Sequence, residues 1–180
     1  MSKKFIIIGN GNAVTYKEVF PLIKGNKLWL GNKTFSGGMD MIAGKKYDTE
    51  KCKHPKYDAE GNVIINVMMC VWFTNIEHKK RNTPIDLYKK YNPEKYPKYD
   101  NYDAIEVNNV KNIPSDYNGV IGVPITFLDK YCPTQFEIVW TTDRGGDGNL
   151  ENVKIPNQAR YDAPTINGVG VYKRILIKKK

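Results

Sequence analysis

The first apolar run of the chain, Phe5 to Ile8, has no polar alternation, the pattern of a strand buried on both faces in a parallel sheet. The turn cluster Gly9-Asn10-Gly11-Asn12 follows it. Tyr16, Val19, Phe20 and Ile23 then recur at helical spacing within 15–24, with Pro21 expected to bend or shorten that helix. Residues 27–31 read as the next strand. Such a strand, helix, strand unit is the kind that builds doubly wound sheets. A first strand that is already central needs neighbours on both sides, and the segment that follows supplies one. The pattern therefore predicts further sheet outside this chain; the alternative is a small sheet that opens on its central strand.

Residues 32–62 are rich in Gly, Lys, Asp and Tyr without sustained periodicity and read as a long exposed loop. The segment 63–75, VIINVMMCVWFTN, is the most apolar stretch and is dominated by β-branched and aromatic residues, which predicts one long core strand or a bent pair. Residues 76–103 read as a second long loop, broken by Pro84, Pro93 and Pro97. Short strands are expected over 104–107, 119–123 and 135–141, and a short helix or turn over 125–131. A Gly-Asp loop covers 145–148. The closing segment 169–177 alternates Val171, Ile175 and Ile177 with Lys173, Arg174 and Lys178, as a strand with one wet face does.

Charge adds a partner to this outline. The chain holds 28 Lys and Arg against 19 Asp and Glu, a net charge of +9, and such an excess favours polyanions through counterion release; the bland alternative is lysine that serves solubility. Within 76–103 the cations Lys79, Lys80, Arg81, Lys89 and Lys90 interleave with Tyr88, Tyr91, Tyr96, Tyr99 and Tyr102. That composition suits phosphate contact and base stacking, or equally a solvated loop pinned by its tyrosines. Three cysteines, Cys52, Cys70 and Cys132, lack metal-ligand spacing and read as reduced structural thiols of a cytoplasmic protein. No run approaches the ~20 apolar residues of a membrane helix, so no membrane partner is expected. Phosphate-loop, nucleophile-elbow and His-Glu-x-x-His motifs are all absent, which argues against hydrolase chemistry. The Gly9–Asn12 turn lacks the third glycine of a dinucleotide fingerprint.

Four blocks carry a resemblance: FIIIGNGNAVTYKEVFPLIKGNKLWLG (5–31), VWFTNI (71–76), KYDNYDAIEVNNVKNIPSDYNGVIGVPITFLDKYCPTQFEI (98–138) and YKRILIKK (172–179). In this order they resemble the carboxy-terminal half of the EcoRI-like adenine-specific DNA methyltransferases. The resemblance implies an α/β, partial Rossmann-like fold of the class I methyltransferase type, a mixed sheet with long basic loops in a single domain over 1–180. It implies double-stranded DNA as substrate, with methyl transfer from S-adenosylmethionine to the amino group of a flipped-out adenine in the intact family. The family's Asp/Asn-Pro-Pro-Tyr/Phe and Gly-rich donor motifs do not occur here; Asn92-Pro93-Glu94 lacks the second proline and the aromatic. The expectation is therefore a DNA-binding and target-recognition half, inactive alone, that binds no S-adenosylmethionine by itself. A separate amino-terminal half is one partner that this implies. A homodimer across exposed sheet edges is another. The rival readings are a stand-alone nucleic-acid-binding module and a degenerate remnant without catalysis.

No catalytic residue is nominated. Asn10 and Asn12, at the carboxyl end of the predicted central strand where open sheets bind ligands, are pocket candidates. So are Trp72, Phe73 and Asn75 after the long strand, where an aromatic ring is placed to stack on a flipped base; for the two aromatics a core position is the alternative. Candidate DNA contacts are Lys45, Lys46, Lys79, Lys80, Arg81 and Arg144, the last in a Gly-rich loop able to approach a duplex closely.

Overall fold

The computed structural model describes residues 3–35, 37–44, 47–49, 55–142 and 163–180. Among them the fold is mixed α/β, with one short helix and sheets of mixed direction. The opening segment forms β1 (Ile6–Asn10), a 3-10 turn (Gly11–Thr15) and α1 (Phe20–Lys24), followed by β2 (Trp29–Leu30). The Asn10 side chain caps the 3-10 turn by accepting from the Asn12 N–H at 2.9 Å. Pro21 stands in the first turn of α1, where a missing N–H costs nothing. Of the segment 15–24 predicted as helix, only Phe20–Lys24 is α-helical; Tyr16 and Val19 lie in the turn that joins it to the 3-10 segment.

The predicted strand, helix, strand unit does not form a parallel pair. β6 (Cys70–Thr74) lies between β1 and β2 and runs antiparallel to both, with Ile8 opposite Trp72 and Leu30 opposite Phe73. β1 is therefore an edge strand, and Ile6, Ile7 and Ile8 are exposed at 59%, 55% and 45%. An unbroken apolar run says that both faces of a strand are apolar, not that anything covers them.

The apolar segment 63–75 is the bent pair. β5 (Val63–Val67) and β6 meet at Met69, whose φ of 55° turns the chain from one sheet into another. β5 pairs with β3 (Met39–Ile42) and β4 (Lys56–Tyr57), so the predicted 32–62 loop carries two strands. Its polar composition hid them: β4 is exposed at both residues, and in β3 Asp40 and Ile42 are exposed between buried Met39 and half-buried Met41.

The main sheet takes the order β7-β8-β12-β9: β7 (Ala104–Glu106), β8 (Val120–Val123), β12 (Ile175–Lys179) and β9 (Phe136–Thr141). β7 and β8 are parallel; the other pairs are antiparallel. A 3-10 turn over Ile125–Lys130 resolves the helix-or-turn alternative. The closing segment divides into a hairpin, β10 (Thr165–Ile166) with β11 (Val169–Gly170), and β12. Asn167 and Gly168 turn the hairpin at φ of 52° and 77°, as a two-residue loop requires. Ile121, Ile138, Ile175 and Ile177 of the main sheet share one core with Val14, Phe20, Val71 and Phe127. The first sheet, α1 and the main sheet therefore bury a common interior.

Candidate nucleic-acid interface

The pocket candidates do not converge. β1 and β6 are antiparallel, so Asn10 lies opposite Cys70 at one end of their sheet, while Asn75 follows Thr74 at the other. Asn75 clamps the entry to β1: its Oδ1 accepts from the Phe5 N–H at 2.9 Å and its Nδ2 donates to the Lys3 carbonyl at 2.8 Å. Strand alternation separates the two aromatics. Phe73 faces the core at 6% exposure, whereas Trp72 is half-buried on the opposite face. Asn12, with Tyr16, Met69, Ile125 and Tyr172, lines an open pocket of about 510 Å³. The glycine turn beside it offers no cradle, because a Cβ on Gly11 would stand 2.6 Å from the Phe35 ring. That space is already filled.

Lys45, Lys46 and Arg144 lie outside the described residues, as do Cys52 and the 145–148 loop. The remaining nominated cations sit on the 3-10 turn Lys79–Asn82. Lys79 is exposed. Lys80 donates to the Asn32 carbonyl at 3.3 Å and pairs with Asp129 at 3.9 Å. Arg81 is 7% exposed: its guanidinium bonds Glu77 at 2.8 Å and Asn26, and lies 3.8 Å over the Trp29 ring. This commits Arg81 to holding the turn against β2, and with Lys80 engaged by Asn32 and Asp129 it leaves Lys79 as the turn's outward charge.

Asp129 anchors the same region from below, accepting from the Phe35 N–H at 2.8 Å. Burial raises its pKa, against the lowering effects of that hydrogen bond and of Lys80 and Lys130. A carboxyl whose folded pKa lies above its unfolded value binds protons more tightly when folded, so it favours the fold at low pH and loses that contribution as pH rises through the folded value. Asp129→Asn removes this titration and keeps an acceptor for Phe35. Urea midpoints at pH 4 and pH 7 should show wild type losing more stability between them than the variant; an equal pH dependence would refute the assignment.

The 88–97 part of the hydrophilic stretch forms one wall of a groove of about 690 Å³, facing residues 106–112. Lys89, Lys90 and Lys95 line it with Tyr88 and with Asn108 and Asn112. Tyr88 is 78% exposed, its phenol held above the usual pKa by the neighbouring Asp86. Tyr91 stacks on Tyr96 at 5.9 Å and leans on Tyr117 at 4.7 Å, while the Tyr96 hydroxyl donates to the Asn112 carbonyl at 2.8 Å. Tyr96, Tyr99 and Tyr102 are buried. The structure divides the stretch: the inner tyrosines pin the loop, as the solvated-loop reading expects, and Tyr88 with the lysines remains outward. The sequence reading nominates Lys79 to Arg81 as contacts, counts Lys89 and Lys90 among the interleaved cations without nominating them, and does not name Lys95, for which the same basic and aromatic interleaving is the signal.

Under the groove lies a buried ion pair. Arg174, just before β12, contacts Glu106 of β7 through Nε at 3.1 Å and Nη2 at 2.6 Å, and its Nη1 donates to the Tyr172 carbonyl at 2.9 Å. The Tyr99 hydroxyl donates to the same carboxylate. Burial first, and then the Glu106 hydrogen bond and charge, push the Tyr99 phenol far above its usual range. Gly122 on β8 makes the arrangement feasible, since any side chain there would collide with the Tyr99 ring. Among the described residues no group of His, Cys, Asp and Glu side chains is placed to hold a metal ion.

The family model described as adenine-specific methyltransferase EcoRI matches residues 1–180, and the chain belongs to that family. It is 45% identical over 180 residues to the type II methyltransferase M.EcoRI of Escherichia coli, covering 99% of this chain and 51% of that protein. The type II methyltransferases M.MgeORF184P of Mycoplasma genitalium and M.MpnI of Mycoplasma pneumoniae are 35% and 33% identical, with 99% of this chain and 58% and 57% of their own lengths covered. The chain thus spans little more than half the length of the curated relatives it matches, and it corresponds to their carboxy-terminal half. No solved structure matches it. No described helix is long and apolar enough to cross a membrane.

Proposed function

We propose that this chain is the DNA-engaging, target-recognition half of an adenine-specific DNA methyltransferase, inactive alone. The observation that carries the reading is its 45% identity to M.EcoRI along the whole chain while spanning only 51% of that enzyme. In this reading the 180 residues act as one domain, and their sheets complete a Rossmann-like sheet with an amino-terminal half that brings S-adenosylmethionine and the adenine-clamping motif. The donor would supply the methyl group; the described residues offer it no site at the glycine turn, where Phe35 occupies the space beside Gly11.

The chain's own contribution is electrostatic and positional. Lys79, Lys80, Lys89, Lys90 and Lys95 neutralise phosphates, with Lys45, Lys46 and Arg144 as further proposed contacts. Tyr88 supplies a ring face for an unstacked base, and Asn108 and Asn112 supply amides for base edges or phosphates. Asn12, which lines the open pocket, is the proposed pocket residue. The two buried thiols that the structure describes, Cys70 and Cys132, are unpaired and fit a cytoplasmic setting.

Calorimetry on the purified chain tests the division of labour. Duplex DNA should give a saturable heat, and S-adenosylmethionine none, with or without DNA. A donor isotherm from the chain alone would overturn the reading that the donor site lies in the other half.

A further inference from the structure

We infer that the β10–β11 hairpin is a base-reading element: its tip enters the major groove of duplex DNA, where the side-chain amide of Asn167 reads an adenine. The inference rests on the DNA-engaging reading above and deepens it by naming a residue that sets specificity.

Strands of two residues do not hold a hairpin together by themselves. This one is gripped from outside by residues 100 and 101. The Asp100 N–H donates to the Thr165 carbonyl at 2.8 Å, and the Asn101 amide accepts from the Thr165 N–H at 2.9 Å and donates to the Ala163 carbonyl at 3.0 Å. Both carboxylate oxygens of Asp100 reach the tip, Oδ1 accepting from the Asn167 N–H at 3.2 Å and Oδ2 from the Gly168 N–H at 2.8 Å. Ile166 and Val171 pack the base of the hairpin on the Tyr99, Tyr102 and Trp140 cluster. The tip packs on nothing: residues 167–170 are exposed, and a Cβ on Gly168 or Gly170 would meet no atom within 4 Å. Two polar side chains are thus spent on fixing the position of a tip that contributes nothing to either core, as a surface that must be presented accurately to a ligand requires.

The chemistry of the tip selects the ligand. The bond from Asn167 to Asp100 uses the backbone N–H, and among the described residues nothing engages the Asn167 side-chain amide. An asparagine amide matches N6 and N7 of adenine in bidentate fashion, and the major groove, about 12 Å wide, admits a two-stranded ribbon. Val169, 68% exposed, supplies an apolar contact of the kind a thymine methyl group takes. Glycines at 168 and 170 let the backbone come close to base edges. The hairpin is also tied to the lysine groove at both ends. Residues 100 and 101 continue the stretch that carries Lys89, Lys90 and Lys95, and beyond β11 Arg174 donates to the Tyr172 carbonyl and pairs with Glu106, which lines the groove. Phosphate contacts that position and a base contact that specifies are thereby carried on one connected frame.

Selection from a pool of random-sequence duplexes, with sequencing of the fraction that the purified chain retains, tests the assignment. Wild type should enrich a motif containing an A·T pair favoured about fivefold or more over the other pairs, the discrimination of a bidentate contact. Asn167→Gly suits the positive φ of the tip and removes the amide. It should lose the preference at that pair alone, while its affinity for random duplex, its salt dependence and its melting temperature match wild type. Asp100→Ala releases the tip and should flatten the same preference, again with the salt dependence unchanged. A motif that Asn167→Gly retains in full overturns the inference, as does a wild-type chain that retains duplex without any motif. A chain that retains no duplex at all overturns the DNA-engaging reading and the inference with it, so the two failures are distinguishable.

Discussion

Replacing Glu106 by alanine will cost the fold on the order of 3–5 kcal/mol, the range found when one member of a buried ion pair is removed. Glu106 and Arg174 side chains are 11% and 10% exposed. Without the carboxylate, the Arg174 Nε and Nη2 lose their acceptor in a site that water barely reaches, and the Tyr99 hydroxyl loses its own. The pair spans the sheet, tying β7 to the entry of β12 across β8, so the damage extends to the floor of the 88–112 groove. Glu106→Gln keeps an acceptor for Tyr99 and for one guanidinium N–H, and should cost clearly less. Urea unfolding of the three proteins measures the difference. A loss below about 1 kcal/mol for the alanine variant, the level of an exposed pair, would mean that solvent reaches the site.

The second large effect falls on DNA affinity. Lys89, Lys90 and Lys95 are exposed and line one groove. If each neutralises one phosphate, changing all three to glutamine lowers the slope of log affinity against log salt by about 2.7, from roughly 0.9 per contact. Across a fourfold rise in salt, wild type should then lose roughly 40-fold more affinity than the triple variant. Stability should change little, because exposed substitutions away from caps and networks stay within about 0.5 kcal/mol each. A slope unchanged by the triple substitution would move the interface away from the groove.

The strands were legible where apolar runs are bounded by turn residues: 104–107, 119–123 and 135–141 all lie on strands of the main sheet. Pairing was not. The run Phe5 to Ile8 gives the same apolar pattern for a buried central strand and for an edge strand, and only the sheet order, with β1 at the edge beside β6, tells them apart. The strands at 39–42 and 56–57 escaped notice because they are short and their faces are polar or half-wet. Arg81 looked like one of three surface cations, since nothing local announces that Trp29 and Asn26, more than fifty residues earlier, receive it.

The same limit governs the candidate site. Family membership was readable from four blocks of sequence, and the match over residues 1–180 agrees with it. The groove was not readable, because Lys89, Lys90 and Lys95 face Asn108 and Asn112 only after β7 pairs with β8 and the tyrosine cluster draws the loop inward. Asn75 illustrates the converse: a polar residue at the end of a buried strand suggested a pocket, and the fold spends both ends of its amide on the backbone of residues 3 and 5.

Fluorescence anisotropy of a labelled duplex, titrated with the purified chain between 50 and 200 mM salt, tests the central claim most directly. The account predicts saturable binding whose log affinity falls linearly with log salt, with a slope steep enough for several phosphate contacts. Binding that is absent at 50 mM, or indifferent to salt, would contradict it.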